Sequence, residues 1–221
     1  MGNYGNGTLT RQLIINACNR LFYEKGYNET SYADICAMAH VNRGTIYYHF
    51  HSKEEMRYDV LWNYLMANKH LAETYCPKDT YLYILAMRIL YAQVDTDEKL
   101  RRFYLQTCLD YPLYSSKSDI GYFYFTVYDK MWETFLEKKK LSQIAFASAY
   151  GYIMCCMRML CETPERYASR EIFSFVCKTC ASVWGLPQQI IDNILTDVEQ
   201  YLALIPPEKL RFSLENVCLL S

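Results

Sequence analysis

Residues 30–56 read TSYADICAMAHVNRGTIYYHFHSKEEM, and this stretch decides the fold of the first part of the chain. Ser31 and Asp34 form a capping box, because a serine and an acid three residues later satisfy each other's free backbone N–H groups at a helix start. Residues 40–42 form a tight turn whose last residue, an asparagine, is a favoured N-cap. A second short helix follows over residues 43–50. Two short helices joined by such a turn predict a helix-turn-helix.

Longer helices flank this motif on both sides. Apolar residues at one-face spacing predict a helix over residues 10–25, and Gly26 stands where a helix commonly ends. Ser52 and Glu55 form a second capping box, which begins a helix over residues 53–75. The motif therefore has one helix before it and one long helix after it.

The remainder of the chain is also divided into helices by prolines and capping residues. The pattern predicts helices over residues 79–94, 95–110, 118–138, 142–161, 164–184 and 187–204, with a short helix or arm after Pro207. No segment alternates as a strand does, so we expect an all-α fold. We expect a helix-turn-helix domain at residues 1–52 and a larger helical domain at residues 53–221, with the helix over residues 53–75 as their connector.

The charge pattern singles out the same motif. The chain carries 23 Lys and Arg against 24 Asp and Glu, a net charge of −1, which excludes a uniformly basic nucleic-acid binder but allows a local basic patch. Residues 35–53 contain no acidic residue. The basic and histidine residues of this window are His40, Arg43, His49, His51 and Lys53. A patch of this kind, inside a helix-turn-helix, favours contact with nucleic acid.

The sequence from Thr30 to Cys36, from Val41 to Phe50 and from Ser52 to Glu55 resembles the TetR family of bacterial transcriptional regulators. The string Gly-Thr-Ile-Tyr-Tyr-His-Phe-His-Ser-Lys-Glu, which begins at Gly44, carries most of this resemblance. The resemblance implies a homodimeric DNA-binding repressor, released from a palindromic operator when its C-terminal helical domain binds a small, mostly apolar effector. One departure is His40, which stands in the turn where the family usually has glycine.

In such a motif the second short helix lies in the major groove of double-stranded DNA, with its first residues at the base edges. Arg43 can make two hydrogen bonds to guanine, Thr45 can contact a base, and Gly44 lets the backbone come close. We expect Phe50 to pack in the core. The predicted DNA-binding residues are Ser31, Asn42, Arg43, Gly44, Thr45, Tyr47, Tyr48, His49 and Lys53.

Aromatic and sulfur-containing residues are frequent on the middle helices, which enclose the effector in proteins of this resemblance. A pocket for an apolar ligand is lined mainly by apolar and aromatic side chains, with a few polar groups that orient the ligand. The predicted effector-binding residues are Tyr104, Cys108, Tyr111, Tyr124, Tyr128, Trp132, Tyr150, Met154 and Met157. The alternative is an ordinary helix core with no ligand.

The last two long helices are apolar around more than one face, which we interpret as a stripe too wide for one contact within the chain. Pairing them across a two-fold axis forms a four-helix bundle and a dimer that reads a near-palindromic operator. The predicted interface residues are Ile172, Val176, Trp184, Ile190, Ile191, Ile194, Leu195, Val198, Tyr201 and Leu202.

Ten cysteines remain to be explained. The N-terminus lacks a signal peptide and no apolar run is long enough to span a membrane, so we expect reduced, mostly buried cysteines in a cytoplasmic protein. Cys177 and Cys180 have metal-like spacing, and a thiol or metal sensor on the same fold stays an alternative. A helical scaffold protein is another. No phosphate loop, nucleophile motif or paired carboxylates favour an enzyme, and we expect no cofactor.

Overall fold

The computed structural model describes residues 4–109, 127, 130, 143–183 and 185–219. All regular elements in these ranges are helical, which confirms the predicted all-α class. A short 3₁₀ turn at Asp79–Tyr81 precedes the fifth helix. The α-helices are α1 (Tyr4–Glu24), α2 (Tyr32–Ala39), α3 (Arg43–His49), α4 (Lys53–Tyr75), α5 (Leu82–Thr96), α6 (Glu98–Leu109), α7 (Gln143–Glu162), α8 (Ser169–Val183), α9 (Gln188–Leu204), α10 (Pro207–Leu210) and α11 (Leu214–Leu219).

The first of two compact units comprises the chain up to Ala67 together with the C-terminal segment from Ser213. Its core includes one face each of α1, α2 and α3. Phe22, Ile35, Ile46 and Phe50 lie in this core and are fully or almost fully buried. The helix-turn-helix is confirmed, and Phe50 lies in the core as predicted. An unexpected feature is α11, which packs against α1 within this unit.

The turn between α2 and α3 carries backbone strain at His40. This residue has φ 55° and ψ 41°, and it is the only non-glycine residue with a positive φ among the described ones. The N–H groups of His40 and Val41 both bond to the carbonyl of Cys36, so the left-handed residue closes the end of α2. A side chain in this region costs about 1 kcal/mol, which glycine would avoid.

The second unit comprises Asn68 to Phe212 and is organised around α5. This helix is buried on nearly all sides, and it packs against α6, α7, α8 and α9. Arg88 lies in its middle, and its Nε donates to Glu199 Oε1 of α9 at 2.6 Å. The buried charge of Arg88 is thus paired with a carboxylate, as buried charges in proteins usually are.

Several helix boundaries differ from the predicted ones for local reasons. α1 begins at Tyr4 rather than at residue 10. α5 extends to Thr96, and Asp97 caps α6 by accepting the N–H of Leu100 at 2.9 Å. The helix expected over residues 164–184 begins at Ser169 instead, and the backbone N–H and the hydroxyl of Thr163 both donate back to the carbonyl of Met159 at 3.0 Å. Thr163 therefore ends α7.

The two compact units divide inside α4, between residues 67 and 68, and residues 213–219 belong to the first unit. α4 is one uninterrupted helix with the predicted bounds, Lys53–Tyr75. The functional division into a DNA-binding and an effector domain stays a prediction.

Candidate nucleic-acid interface

The start of α3 is fixed by Asn42. Its side-chain oxygen accepts the backbone N–H of Thr45 at 2.9 Å and the hydroxyl of Thr45 at 3.1 Å. A Cβ placed on Gly44 would lie 3.2 Å from that same oxygen. Gly44 therefore leaves room for the cap itself, in addition to the close approach to DNA that the sequence predicted.

The two sides of α3 differ in character. Ile46 points into the core and is fully buried, while Arg43 is exposed and the side chains of Tyr47 and Tyr48 are 47% and 84% exposed. The ring of His49 makes an edge contact with the ring of Tyr48 at 5.0 Å. α3 thus presents a cation and two tyrosine hydroxyls on one exposed surface, and these are donors suited to phosphates and base edges.

Arg43 is held by two aromatic residues. Its Nε and Nη2 donate to the hydroxyl oxygen of Tyr47 at 3.0 and 2.8 Å. Its guanidinium carbon lies 5.3 Å from the ring centre of Tyr32 and 5.4 Å from that of Tyr47. The two rings are themselves 5.4 Å apart. Tyr32, the first residue of α2, therefore belongs to this surface.

Lys53, at the start of α4, lies beside α3 in the first unit. Its ammonium donates to the carbonyl oxygen of Thr30 at 2.8 Å and lies 4.2 Å from the ring centre of Tyr27. The guanidinium of the buried Arg57 lies 4.2 Å from the same ring centre. An ammonium carries a positive charge and N–H donors, and such a group is suited to contact a phosphate.

The hydroxyl of Ser31 is used by the capping box. It accepts the N–H of Asp34 at 3.2 Å and donates to the Asp34 carboxylate at 2.6 Å, so the predicted box is confirmed. Lys25 also bonds to this carboxylate at 2.7 Å, and these bonds hold the pKa of Asp34 well below its usual range. The second box is looser: Ser52 accepts the N–H of Glu55, but Glu55 accepts from the N–H of His51.

The structure thus brings the nine predicted DNA-binding residues to one unit, at the start of α2, along α3 and at the start of α4. Sequence reasoning missed Tyr32 and Tyr27, which contact Arg43 and Lys53. In a chain with 22 tyrosines, neither was distinguishable by composition. No sequence pattern marks them, because their contacts arise only when the helices pack together.

Three of the predicted effector residues can be placed fully. Tyr104 on α6 and Met154 and Met157 on α7 are buried, and α6 and α7 pack against each other. Cys108 and Tyr150 lie on the same two helices, although their side chains are outside the described part. Tyr111, Tyr124, Tyr128 and Trp132 lie outside the described residues.

A cavity of about 600 Å³ lies elsewhere in the second unit. It is lined by the end of α5 and by the segment around α10, and Tyr104, Met154 and Met157 are not among its described lining residues. The lining residues are Ala92, Thr96, Asp97, Pro207, Leu210, Arg211 and Phe212.

Most of the predicted interface residues are buried within the chain. α9 packs against both α5 and α8, so two helices cover the stripe that we expected to be too wide for one intrachain contact. The width of the stripe is therefore no evidence for a second copy of the chain, and the interface on α9 stays a prediction. The residues buried in this way are Ile172, Val176, Ile191, Ile194, Leu195, Val198 and Leu202. Tyr201 is half-buried, Ile190 is exposed and Trp184 lies outside the described residues.

An apolar surface remains on α7 and α8 instead. Met159 on α7 and Phe175 on α8 are 42% and 60% exposed, and Cys155, four residues before Met159 on α7, is exposed as well. The ring of Phe175 lies 5.6 Å from that of Tyr152, which joins the two helices at this surface.

The buried cysteines are unsuited to thiolate chemistry. Burial raises the pKa of Cys180 to about 12, and it raises the pKa of Cys177 well above the usual value. A metal or redox site needs the thiolate, which burial disfavours. Within the described part of the chain, no three His, Cys, Asp or Glu residues are grouped so that they could hold a metal ion.

Comparison with known proteins bears on the first unit. Residues 14–58 match the family described as bacterial regulatory proteins, tetR family. The chain is 39% identical over 85 residues to the HTH-type transcriptional regulator TtgR of Pseudomonas putida, covering 38% of this chain and 40% of that protein. It is 37% identical over 59 residues to the regulator AcrR of Shigella flexneri, covering 27% of each. The chain thus matches about two fifths or less of these relatives. The predicted resemblance to this family is therefore confirmed over residues 14–58.

Solved structures are similar only at low identity. A gamma-butyrolactone receptor (ArpA-like protein) aligns over 90% of this chain and 99% of its own, with 17% identity and a TM-score of 0.40. The TetR family protein CprB from S. coelicolor A3(2) aligns over 88% and 98%, with 18% identity and a TM-score of 0.38. None of the described helices is both long and apolar enough to cross a membrane.

Proposed function

We propose that this protein is a sequence-specific DNA-binding transcriptional regulator that places α3 in the major groove of double-stranded DNA. The observation that carries the proposal is the two-sided character of α3. Ile46 anchors the helix in the core, while Arg43, Tyr47 and Tyr48 face outward from a stretch without acidic residues. The tetR-family match over residues 14–58 supports the same activity.

The contacts fall into two kinds. Arg43 and Thr45, at the start of α3, are placed to meet base edges and so to carry sequence preference. Tyr48, His49 and Lys53 are placed to meet phosphates, which sets affinity and orientation without reading sequence. Asn42 and Ser31 act first as helix caps that fix the positions of the others.

The test is selection of bound sequences from a random DNA pool, followed by affinity measurements on the selected site. Arg43→Ala should weaken binding by about 1–3 kcal/mol and relax the preference at one base position. The matched control is Arg102→Ala, which removes the same charge from an exposed position of the second unit. Unchanged affinity and preference in Arg43→Ala would show that α3 is not the reading helix. A pool without any selected sequence would favour a helical interaction protein instead.

The proposal extends to regulation by a small, mostly apolar effector held in the second unit, with repression relieved when it binds. α4 supports this, because it begins beside α3 and ends in the second unit as one continuous helix. A ligand can shift the DNA-binding state only as far as it binds the two states differently. A coupling of about 1–3 kcal/mol would change operator affinity by about 5–150-fold.

We also propose that the protein acts as a cytoplasmic homodimer on a near-palindromic operator, with the interface on the surface of α7 and α8 rather than on the buried stripe of α9. Cys155, Met159 and Phe175 provide an exposed apolar patch, and a two-fold axis through it would bring four helices together. A second copy would cover side chains that the chain itself leaves exposed.

A further inference from the structure

Arg43 is fixed in position before any DNA is present. Its Nε and Nη2 share one acceptor, the hydroxyl oxygen of Tyr47, and its guanidinium lies against the rings of Tyr32 and Tyr47. Long arginine side chains lose considerable rotamer freedom when they bind, so a side chain that is already held loses less of it. The arrangement therefore favours one orientation of the guanidinium.

The hydrogen bonds to Tyr47 leave a defined edge of the guanidinium available. Arginine has five N–H donors in a planar fork, and Tyr47 uses one on Nε and one on Nη2. The second N–H of Nη2 and both of Nη1 remain, and one N–H from each of these two nitrogens forms the end of the fork. Guanine offers O6 and N7 as two neighbouring acceptors, which this end can engage together.

Tyr47 and Tyr32 hold Arg43 in different ways. The hydroxyl oxygen of Tyr47 accepts from Arg43, so its own proton stays available for a phosphate oxygen. Tyr32 gives Arg43 only its ring face, 5.3 Å from the guanidinium carbon, while its hydroxyl bonds to the backbone of Lys53. Because Tyr32 is the first residue of α2, it ties the orientation of Arg43 to the other helix of the motif.

We propose that Tyr32 is a positioning and specificity-determining residue, which together with Tyr47 presents the end of the Arg43 guanidinium to a guanine of the operator. This inference rests on the proposed function. It adds a residue outside the predicted DNA-binding set, and it assigns the base that Arg43 reads.

The experiment uses the full chain and the selected operator, and it measures dissociation constants by fluorescence anisotropy. Tyr32→Leu removes the ring face, and Tyr32→Phe keeps it and removes only the hydroxyl. The affinity of each variant is measured for the natural site, meaning the selected operator without modification. It is also measured for a site in which the guanine read by Arg43 is replaced by 7-deazaguanine, which lacks the N7 acceptor. Circular dichroism and thermal unfolding of both variants monitor the fold.

We expect Tyr32→Leu to bind the natural site about three- to tenfold more weakly. The Arg43 side chain would then be free in the unbound protein and would have to be ordered when DNA binds. Tyr32→Phe should lose clearly less affinity than Tyr32→Leu, because it keeps the ring face and removes only the hydroxyl that bonds to the backbone of Lys53. On the 7-deazaguanine site, or in an Arg43→Ala background, Tyr32→Leu should cause no further loss, because the interaction that it supports is already gone.

Three results would overturn the inference while leaving DNA binding by α3 in place. They are a Tyr32→Leu variant that binds as tightly as the wild type or more tightly, a loss that persists in the Arg43→Ala background, and a selected site without guanine at the position that Arg43→Ala relaxes. Tighter binding would mean that the two tyrosines hold Arg43 away from DNA. A wild-type protein that binds no DNA would overturn the proposed function itself and this inference with it.

Discussion

The ammonium of Lys53 lies 4.2 Å from the ring centre of Tyr27 and joins the start of α4 to the segment before α2. Its bond to the carbonyl oxygen of Thr30 fixes the same connection. Tyr27 is almost fully buried, and Arg57 lies at the same distance from its ring centre, so one aromatic side chain holds two cations. A cation–π contact of this kind contributes about 0.5–2 kcal/mol.

Lys53→Ala should therefore have two separate effects. It should lower the free energy of unfolding by about 1 kcal/mol through the lost contact with Tyr27. It should also weaken binding to all DNA sequences alike and flatten the dependence of affinity on salt, because one phosphate contact fewer releases fewer counterions. Urea unfolding measures the first effect, and a salt titration of operator binding measures the second.

The matched control is Lys53→Arg, which keeps the charge and the cation–π contact. It should retain both the stability and the slope of the salt dependence. If Lys53→Ala lowered stability and left the salt slope unchanged, Lys53 would serve only to join α4 to the rest of the first unit.

His40→Gly should stabilise the protein by up to about 1 kcal/mol. His40 has φ 55°, where a Cβ is strained, and glycine removes that strain while losing more freedom on folding. His51→Gly is the control, since this exposed histidine has no positive φ and should only lose stability. Thermal unfolding of both variants checks the prediction. Equal destabilisation by the two would show that the backbone at His40 carries no strain.

The helix-turn-helix could be predicted almost to the residue because its signals are local. Ser31, Asp34 and Asn42 form the N-caps of α2 and α3 with groups three residues away in sequence. The amino-acid sequence alone therefore predicts these hydrogen bonds. At the start of α4 only half of the predicted box forms, because the Glu55 carboxylate accepts the N–H of His51 instead of that of Ser52. Thr163 shows the limit of such local signals. Its hydroxyl could cap a following helix or bond to the helix before it, and the structure has the second arrangement, a bond to the carbonyl of Met159.

What the sequence could not settle depends on packing between distant segments. The apolar residues of α9 look the same whether another helix of the chain or a second copy covers them, and the structure covers them with α5 and α8. The cage around Arg43 likewise joins Tyr32 to Tyr47 across the turn. Neither arrangement leaves a periodic signal in the sequence.

The revised dimer surface gives a direct test. Phe175→Glu places a charge in the exposed patch of α7 and α8 and should shift the protein from dimer to monomer, because an unpaired charge buried in an interface is costly. Leu204→Glu is the control: Leu204 is similarly exposed, but it lies on α9 outside that patch. Sedimentation velocity at micromolar concentration gives the mass of each. A Phe175→Glu dimer would contradict this assignment.

Asp34 should make stability depend on pH. Its hydrogen bonds with Lys25 and Ser31 lower its pKa in the folded state, so the stabilisation is present above the pKa of the unfolded chain and is lost as pH falls. Asp34→Asn should therefore be less stable than the wild type at pH 7. The difference should shrink as pH drops below about 4. Urea unfolding at pH 7 and pH 3 checks this, and a difference that stayed constant would assign the effect to something other than the charge.

The C-terminal helix α11 should stabilise the first unit although it is more than 150 residues from α1 in sequence. It packs against α1, and Val217 is almost completely buried there. Val217→Ala removes two methyl groups from this contact and should lower stability by about 1–2 kcal/mol. The neighbouring Asn216→Ala, at an exposed position, should change it by less than about 0.5 kcal/mol.

Hydrogen exchange of the α1 peptides separates a local effect from a global one. If α11 holds α1 in place, Val217→Ala should speed exchange in α1 before it does so in α5, since α5 belongs to the second unit. Equal protection of α1 in Val217→Ala and Asn216→Ala would mean that α11 only rests on the surface of the first unit. A loss of hydrogen-exchange protection confined to α1 would also show that residues 213–219 stabilise the unit that carries α3. Removing residues 213–221 should then weaken operator binding without touching any residue that contacts DNA.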